Sequence, residues 1–386
     1  MKNRVKIIGL VLLAWGCKKP FTPPGDISAD NRYLVVEGVI SMNDSTFIRL
    51  SRTKKVDTFK TVVPELHAQV NIESNANASY ALIEAGNGIY AAPPLNLDTS
   101  RRYRLRIKTT DGKEYISDFV PVKDAPPIDS IGFIARAQGV QLYVNSHNSA
   151  STTRYYRWEY QETWQFHSMY ASSYRNDLHP RLVSDQKYSC FASDTSGNIL
   201  LASTIKLATD VIYQAPLTLI PANSEKIETK YSILVRQYAL TSDAYDFWQN
   251  LQKNTENIGS IFDVLPSEVQ GNFHCLSNPS ETVIGYLCAG NITSKRIFIS
   301  ADELLPTYSV QYPYSCVLDT TFTAPADASQ QRSTNIYWQS TAIDSIVQGL
   351  YGVPDVLGVP YAYTYSAGPC VDCTIRGTRI KPSFWK

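Results

Sequence analysis

Apolar and polar residues alternate with period two in several short stretches between Tyr33 and Val122, the pattern of half-buried β-strands. Tyr33 to Ile40 (YLVVEGVI) is strongly apolar, and Phe47 to Ser51 (FIRLS) alternates. Leu66 to Glu73 (LHAQVNIE) sets Ala68, Val70 and Ile72 on one side. Tyr80 to Glu84 runs into Ala85-Gly86-Asn87-Gly88, a hairpin signal. In Tyr103 to Thr109 (YRLRIKT), Tyr103, Leu105 and Ile107 face inward while Arg104, Arg106 and Lys108 face outward. Asp111-Gly112 turns the chain, and Lys113 to Val120 returns beside it. Leu97 through Ile107 has the spacing of a tyrosine corner. These short strands and turns predict an immunoglobulin-like β-sandwich over residues 33–122.

Pro126 and Pro127, within VKDAPPIDS, mark a boundary because proline cannot sit inside a sheet. Residues 123–386 then read as a larger β-rich domain with two short helices. Ile131 to Ile134, Val140 to Val144, Tyr231 to Leu240, Thr282 to Leu287 and Lys295 to Ile299 read as strands. Tyr155 to Phe166 (YYRWEYQETWQF) is a long one. Its Tyr156, Trp158, Tyr160, Glu162, Trp164 and Phe166 share one face, and Arg157, Glu159, Gln161 and Gln165 the other. The aromatic face is either a core face or a shelf on which Tyr156, Trp158 and Trp164 stack against a glycan or peptide. Ala244, Phe247, Trp248 and Leu251 recur at helical spacing, so Ser242 to Leu251 is an amphipathic helix capped by Thr241 or Ser242. Ile343, Ile346, Val347 and Leu350 repeat that spacing and predict the second helix, Thr341 to Leu350. The fold class is mainly β.

The first residues carry a different signal. Lys2, Arg4 and Lys6 precede the apolar run Ile7 to Trp15, then Gly16 and Cys17. Residues 1–16 read as a bacterial lipoprotein export signal, cleaved so that the Cys17 thiol carries a diacylglycerol; the plainer alternative is an ordinary secretory signal. Several acyl chains on one residue give a stable anchor where a single chain gives a marginal one. Residues 17–32, with no periodicity, read as an extended, lipidated tether. The apolar run is too short to span a bilayer.

An oxidising compartment permits disulfides. Beyond Cys17 the chain has Cys190, Cys275, Cys288, Cys316, Cys370 and Cys373. Six thiols allow three bridges and fifteen pairings. Cys275 with Cys288 is one expected pair, and Cys316 with the Cys370/Cys373 cluster another. Cys370-Val371-Asp372-Cys373 has redox-motif spacing but follows no strand-to-helix pattern. The five histidines show no ligand spacing to the cysteines, so no metal site is expected.

Lysine plus arginine number 36 and aspartate plus glutamate 35, a net charge of +1 that argues against nucleic-acid binding. The 25 tyrosines, 13 phenylalanines and 6 tryptophans suit an extracytoplasmic β protein with aromatic surfaces. There is no G-x-S-x-G, H-E-x-x-H, P-loop or G-x-G-x-x-G motif. Glu159 and Glu162 fall on opposite strand faces and cannot form a carboxylate pair. No catalytic residue and no cofactor is expected, and the protein reads as a non-enzyme.

Further motifs carry a family resemblance. They include YLVVEGVI (33–40), GNGIY (86–90), LNLDTSRRYRLRIKTTDGKEYIS (95–117), PPIDSI (126–131) and YSILVRQYALTSDAYDFWQNL (231–251). IFDVLPSEVQGN (261–272), ETVIGYLCAGNITSKRIFI (281–299) and CVDCTIRGT (370–378) come next, in order. Together they resemble the Bacteroidota lipoproteins of domain-of-unknown-function family 4249. The resemblance implies an outer-membrane, lipid-anchored protein partnering a TonB-dependent, SusC-like β-barrel, and it carries over no catalytic residues. It implies an accessory subunit of a barrel complex; a glycan- or peptide-binding surface lipoprotein is the alternative. Lys18-Lys19-Pro20 succeeds the cysteine where surface-exported relatives often carry acids, so cell-surface and periplasmic orientations both stay open.

Overall fold

The computed structural model describes residues 32–54, 62–150, 152–172, 174–176, 180–182, 186–256, 270–312, 314–322, 346–350 and 362–386. The export signal, Cys17 and the tether up to residue 31 lie outside the described residues.

Nine strands come first among the described residues: Leu34–Ser41 (β1), Thr46–Arg52 (β2), Val63–Pro64 (β3), Gln69–Ser74 (β4), Ser79–Gly86 (β5), Ile89–Ala92 (β6), Arg102–Lys108 (β7), Glu114–Ser117 (β8) and Val120–Lys123 (β9). The inward set of β7 is buried as the alternation predicts, and Glu73 on β4 joins the outward Arg104 and Arg106, each at 2.7 Å. The tyrosine corner is present: the Tyr103 hydroxyl accepts from the Asp98 amide at 2.9 Å and donates to the Asp98 carbonyl at 3.4 Å.

Where an immunoglobulin-like sandwich is expected, these strands close into a barrel. The neighbour order is β7-β4-β5-β6-β2-β1, then a late strand, Cys288–Gly290, then β9, which returns to β7. Eight strands complete the circuit. Closure removes the open edges that a sandwich leaves. The late strand lies some 165 residues beyond β9, so the boundary at 122 does not separate the barrel from the rest of the chain. Phe273–Cys275 extends β8 and Val283–Ile284 runs parallel to β1. Gly285 makes that approach possible: a Cβ there would stand 2.2 Å from the Val36 carbonyl oxygen, and its φ is +144°. Glu281 ties the returning segment down through Lys113 (2.6 Å) and the Tyr115 hydroxyl (2.7 Å). Burial alone would raise the pKa of Glu281, but these bonds outweigh it and hold the carboxyl below its usual range.

The middle of the chain builds the two-sheet sandwich. The strands here are Ile128–Arg136 (β10), Gly139–His147 (β11), Tyr155–His167 (β12), Tyr174–Asn176 (β13), Pro180–Leu182 (β14), Ser189–Thr195 (β15), Leu200–Ser203 (β16), Val211–Pro221 (β17) and Lys230–Ala239 (β18), of which β13 and β14 pair only with each other. With Phe273–Cys275 as β19, Val283–Ile284 as β20 and Cys288–Gly290 as β21, Thr293–Ser300 is β22. One sheet runs β10-β11-β17, the other β15-β12-β18-β22 with β16 also on β12. Val140, Leu142 and Leu217 of the first meet Tyr156, Trp158, Ile233 and Val235 of the second in one core. Two of the largest polar tips are satisfied there, while the buried Trp164 Nε1 has no hydrogen-bond partner among the described residues. Trp158 Nε1 donates to Gln237 at 2.8 Å, and the Tyr156 hydroxyl donates to Asp210 at 2.7 Å.

The predicted helix forms and runs past Leu251, as Ser242–Glu256 (α1), with Thr241 Oγ1 accepting from the Ala244 amide at 3.2 Å. The second predicted helix does not form over its described part. Ile346–Leu350 is a strand (β24) on Ala362–Tyr365 (β25), which also pairs Asp319–Phe322 (β23); residues 341–345 lie outside the described residues. The β-branched Ile346 and Val347 and the weak helix former Gly349 favour pairing over a helix despite the spacing. Among the described residues a further α-helix, Gly368–Val371 (α2), is a single turn entered through a proline.

Two disulfides join Cys190 to Cys373 and Cys316 to Cys370. The cysteines of the Cys370–Cys373 motif therefore take different partners. Cys275 and Cys288 are unbridged, contrary to their expected pairing. Cys275 points into the barrel core, whereas Cys288 packs outside the wall beside the residues of α1. Closeness in sequence carries no information about which side of a wall each thiol takes.

Candidate functional site

The aromatic face of β12 is not a ligand shelf. Tyr156, Trp158 and Trp164 are buried beneath the opposing sheet, and Trp158 is only 1% exposed. The chemistry lies on the other face of the same strand. Alternation turns Arg157 and Glu159 outward, and register sets them opposite Tyr238 and Arg236 of β18. The chain leaves β18 directly into α1, which brings Phe247, Trp248 and Leu251 over this face.

A cleft of about 440 Å³ opens between the sandwich and the barrel. Arg157, Glu159, Arg236 and Tyr238 form its sandwich side, and Val39, Phe47 and Tyr286, flanked by the acids Glu37 and Asp44, its barrel side; Trp248 and Leu251 line it from α1. Arg157 is 8% exposed. Its guanidinium lies 4.4 Å from the Tyr238 ring and 4.3 Å from the Trp248 ring, so two aromatic rings hold it. Nη1 donates to Glu159 Oε1 at 2.6 Å, while buried Nε has no hydrogen-bond partner. Glu159 Oε2 accepts from the Tyr238 hydroxyl at 2.8 Å. Burial, then the negative charge of Glu159, pushes the Tyr238 phenol well above its ordinary pKa, so it stays a donor.

Cys288 lines the same cleft. Burial pushes its thiol up to about 11, against the opposing pull of Arg157. A thiol so raised is almost wholly protonated near neutral pH and is a poor nucleophile. The arrangement suits recognition: an oriented cation and aromatic walls. Among the described residues no cluster of three or more His, Cys, Asp or Glu could hold a metal ion.

The cleft continues onto the barrel surface. Cross-strand register lines up Cys288, Val39, Phe47, Ala91 and Ile83 on five neighbouring strands. Phe47 (57%) and Ile83 (75%) are its exposed members, with half-buried Ala91 between them. Sequence reading gives the outward direction of Arg157 and Glu159 but not their importance. The missed signal is a pair of opposite charges on an aromatic strand whose partner strand runs straight into an amphipathic helix.

Residues 18–296 match the family model described as Domain of unknown function (DUF4249). No curated protein matches the chain.

Proposed function

The chain belongs to the DUF4249 family, and from that membership we propose that it is a non-enzymatic accessory subunit of an outer-membrane β-barrel complex. It is lipid-anchored through Cys17, and a TonB-dependent, SusC-like receptor is its partner. The observation that carries this reading is the apolar row from Ile83 through Phe47 into the cleft. Exposed apolar residues lined up in register and joined to an aromatic cleft fit a protein contact better than scattered surface residues do. Among the described residues no helix is long and apolar enough to cross a membrane. Both the cell-surface and the periplasmic orientation fit this role. The cleft favours one second reading, a peptide-binding lipoprotein; a glycan site on Tyr156, Trp158 and Trp164 is not favoured, because those rings are buried.

The test is a pull-down of the anchored protein from detergent-solubilised outer membrane. The wild type is expected to recover a β-barrel protein. Phe47→Glu with Ile83→Glu, at exposed positions where the fold tolerates substitution, is expected to lose at least tenfold of that recovery. Failure of the wild type to recover any barrel would overturn the reading.

A further inference from the structure

Strands β12, β18 and β22 are neighbours, with Arg157 opposite Tyr238, Glu159 opposite Arg236, and Leu234 opposite Arg296. Arg157, Arg236 and Arg296 are therefore successive diagonal neighbours on the face turned away from the sandwich core. On these three strands that face holds one acid, Glu159, and both its oxygens are occupied, by Arg157 and by the Tyr238 hydroxyl. Arg296 stacks on Phe384 at 3.6 Å and donates to Ser232 at 3.0 Å. Arg236 makes no ion pair, hydrogen bond or ring contact among the described residues, yet it lines the cleft. The Arg296 guanidinium is held below its ordinary pKa by burial and by the like charge of Arg236.

We infer that this arginine diagonal binds an extended acidic peptide, whose alternate carboxylates meet Arg236 and Arg296 while its intervening apolar side chains face the Phe47 side. Two features select that occupant. Diagonal neighbours on a sheet stand roughly 7–8 Å apart, close to the roughly 6.5–7 Å between alternate side chains of an extended chain. Arginine forks also engage carboxylates with two parallel bonds, whereas across the cleft Val39 and Phe47 stand beside the acids Glu37 and Asp44, a side that accepts apolar groups and repels carboxylates. A phosphate-bearing lipid surface would meet the same arginines without using that side. The inference rests on the cleft being a binding site, and not on the anchor or the barrel partner.

The probe is a fluorescein-labelled peptide of alternating leucine and aspartate, compared by anisotropy with its leucine–asparagine counterpart, on the mature protein in detergent at low salt. The aspartate peptide is expected to bind at least tenfold more tightly. Arg236→Gln, with an unchanged melting temperature, is expected to remove most of that preference, and Arg236→Lys to restore part of it. Arg296→Gln should weaken the same preference by a smaller factor. Equal binding of the two peptides, or a preference untouched by Arg236→Gln, overturns the inference. So does Arg236-dependent binding to phosphatidylglycerol vesicles without any peptide preference, which would assign the arginines to a headgroup. Loss of barrel recovery in an Ile83→Glu variant, whose side chain lies outside the cleft, alongside intact Arg236-dependent peptide binding would separate the two proposals.

Discussion

Trp158→Ala is expected to destabilise the protein by about 3–5 kcal/mol, the range for emptying a large aromatic site in a packed core. The indole is buried between the two sheets and its nitrogen donates to Gln237, which in turn donates to the Pro126 carbonyl and Ser146. Removing the ring leaves both a void and a buried amide oxygen without its donor. Urea unfolding should show the midpoint falling with little change in slope. Peptide binding by the protein that remains folded should be unaltered, because the ring does not line the cleft. A loss below about 1 kcal/mol together with lost ligand binding would return Trp158 to the role of an exposed shelf.

Glu162→Ala should be of similar size, about 3–5 kcal/mol, the range for breaking a buried ion pair from one side. Glu162 is 4% exposed. It accepts from Lys226 Nζ at 2.5 Å and from the Tyr231 hydroxyl at 2.7 Å. The ammonium also sits 4.8 Å from the Trp164 ring centroid. Alanine strands the Tyr231 hydroxyl, which is wholly buried, and leaves Lys226 with only the ring and a distant Asp194 at 3.8 Å. That remaining acid should place the effect near the lower end of the range. Unfolding at neutral pH measures it, with Glu162→Gln as the milder control that keeps the acceptor. Equal stability of the alanine variant and the wild type would mean that water already satisfies the lysine.

Much of the barrel can be read from sequence because its inner positions alternate locally, as Tyr103, Leu105 and Ile107 do, and because Asp111-Gly112 and Asn87-Gly88 announce the turns. Its closure cannot. The strand that completes it, Cys288–Gly290, is three residues long and too short to show any period. Its parallel partners are strands far away in sequence. Helix α1 is legible because its apolar spacing and its Thr241 cap agree. At Ile346–Leu350 the same spacing conflicts with β-branching and glycine, and the sheet prevails. The aromatic face of β12 shows its periodicity plainly, but periodicity alone does not distinguish a core from a shelf. Burial decides, and burial depends on the β10-β11-β17 sheet that covers it. The cleft is the least legible part, since it is made of residues from β1, β2, β12, β18, α1 and the 284–288 segment, which meet only in the folded chain.

The most direct measurement of the barrel-companion role is site-specific photo-crosslinking in intact cells, with the reactive side chain placed at Ile83 and, separately, at exposed Gly197 on the sandwich. The account predicts that position 83 captures an outer-membrane β-barrel, identified by mass spectrometry and by its heat-dependent migration, and that position 197 does not. Capture of no barrel at position 83, or equal capture at both positions, would contradict it.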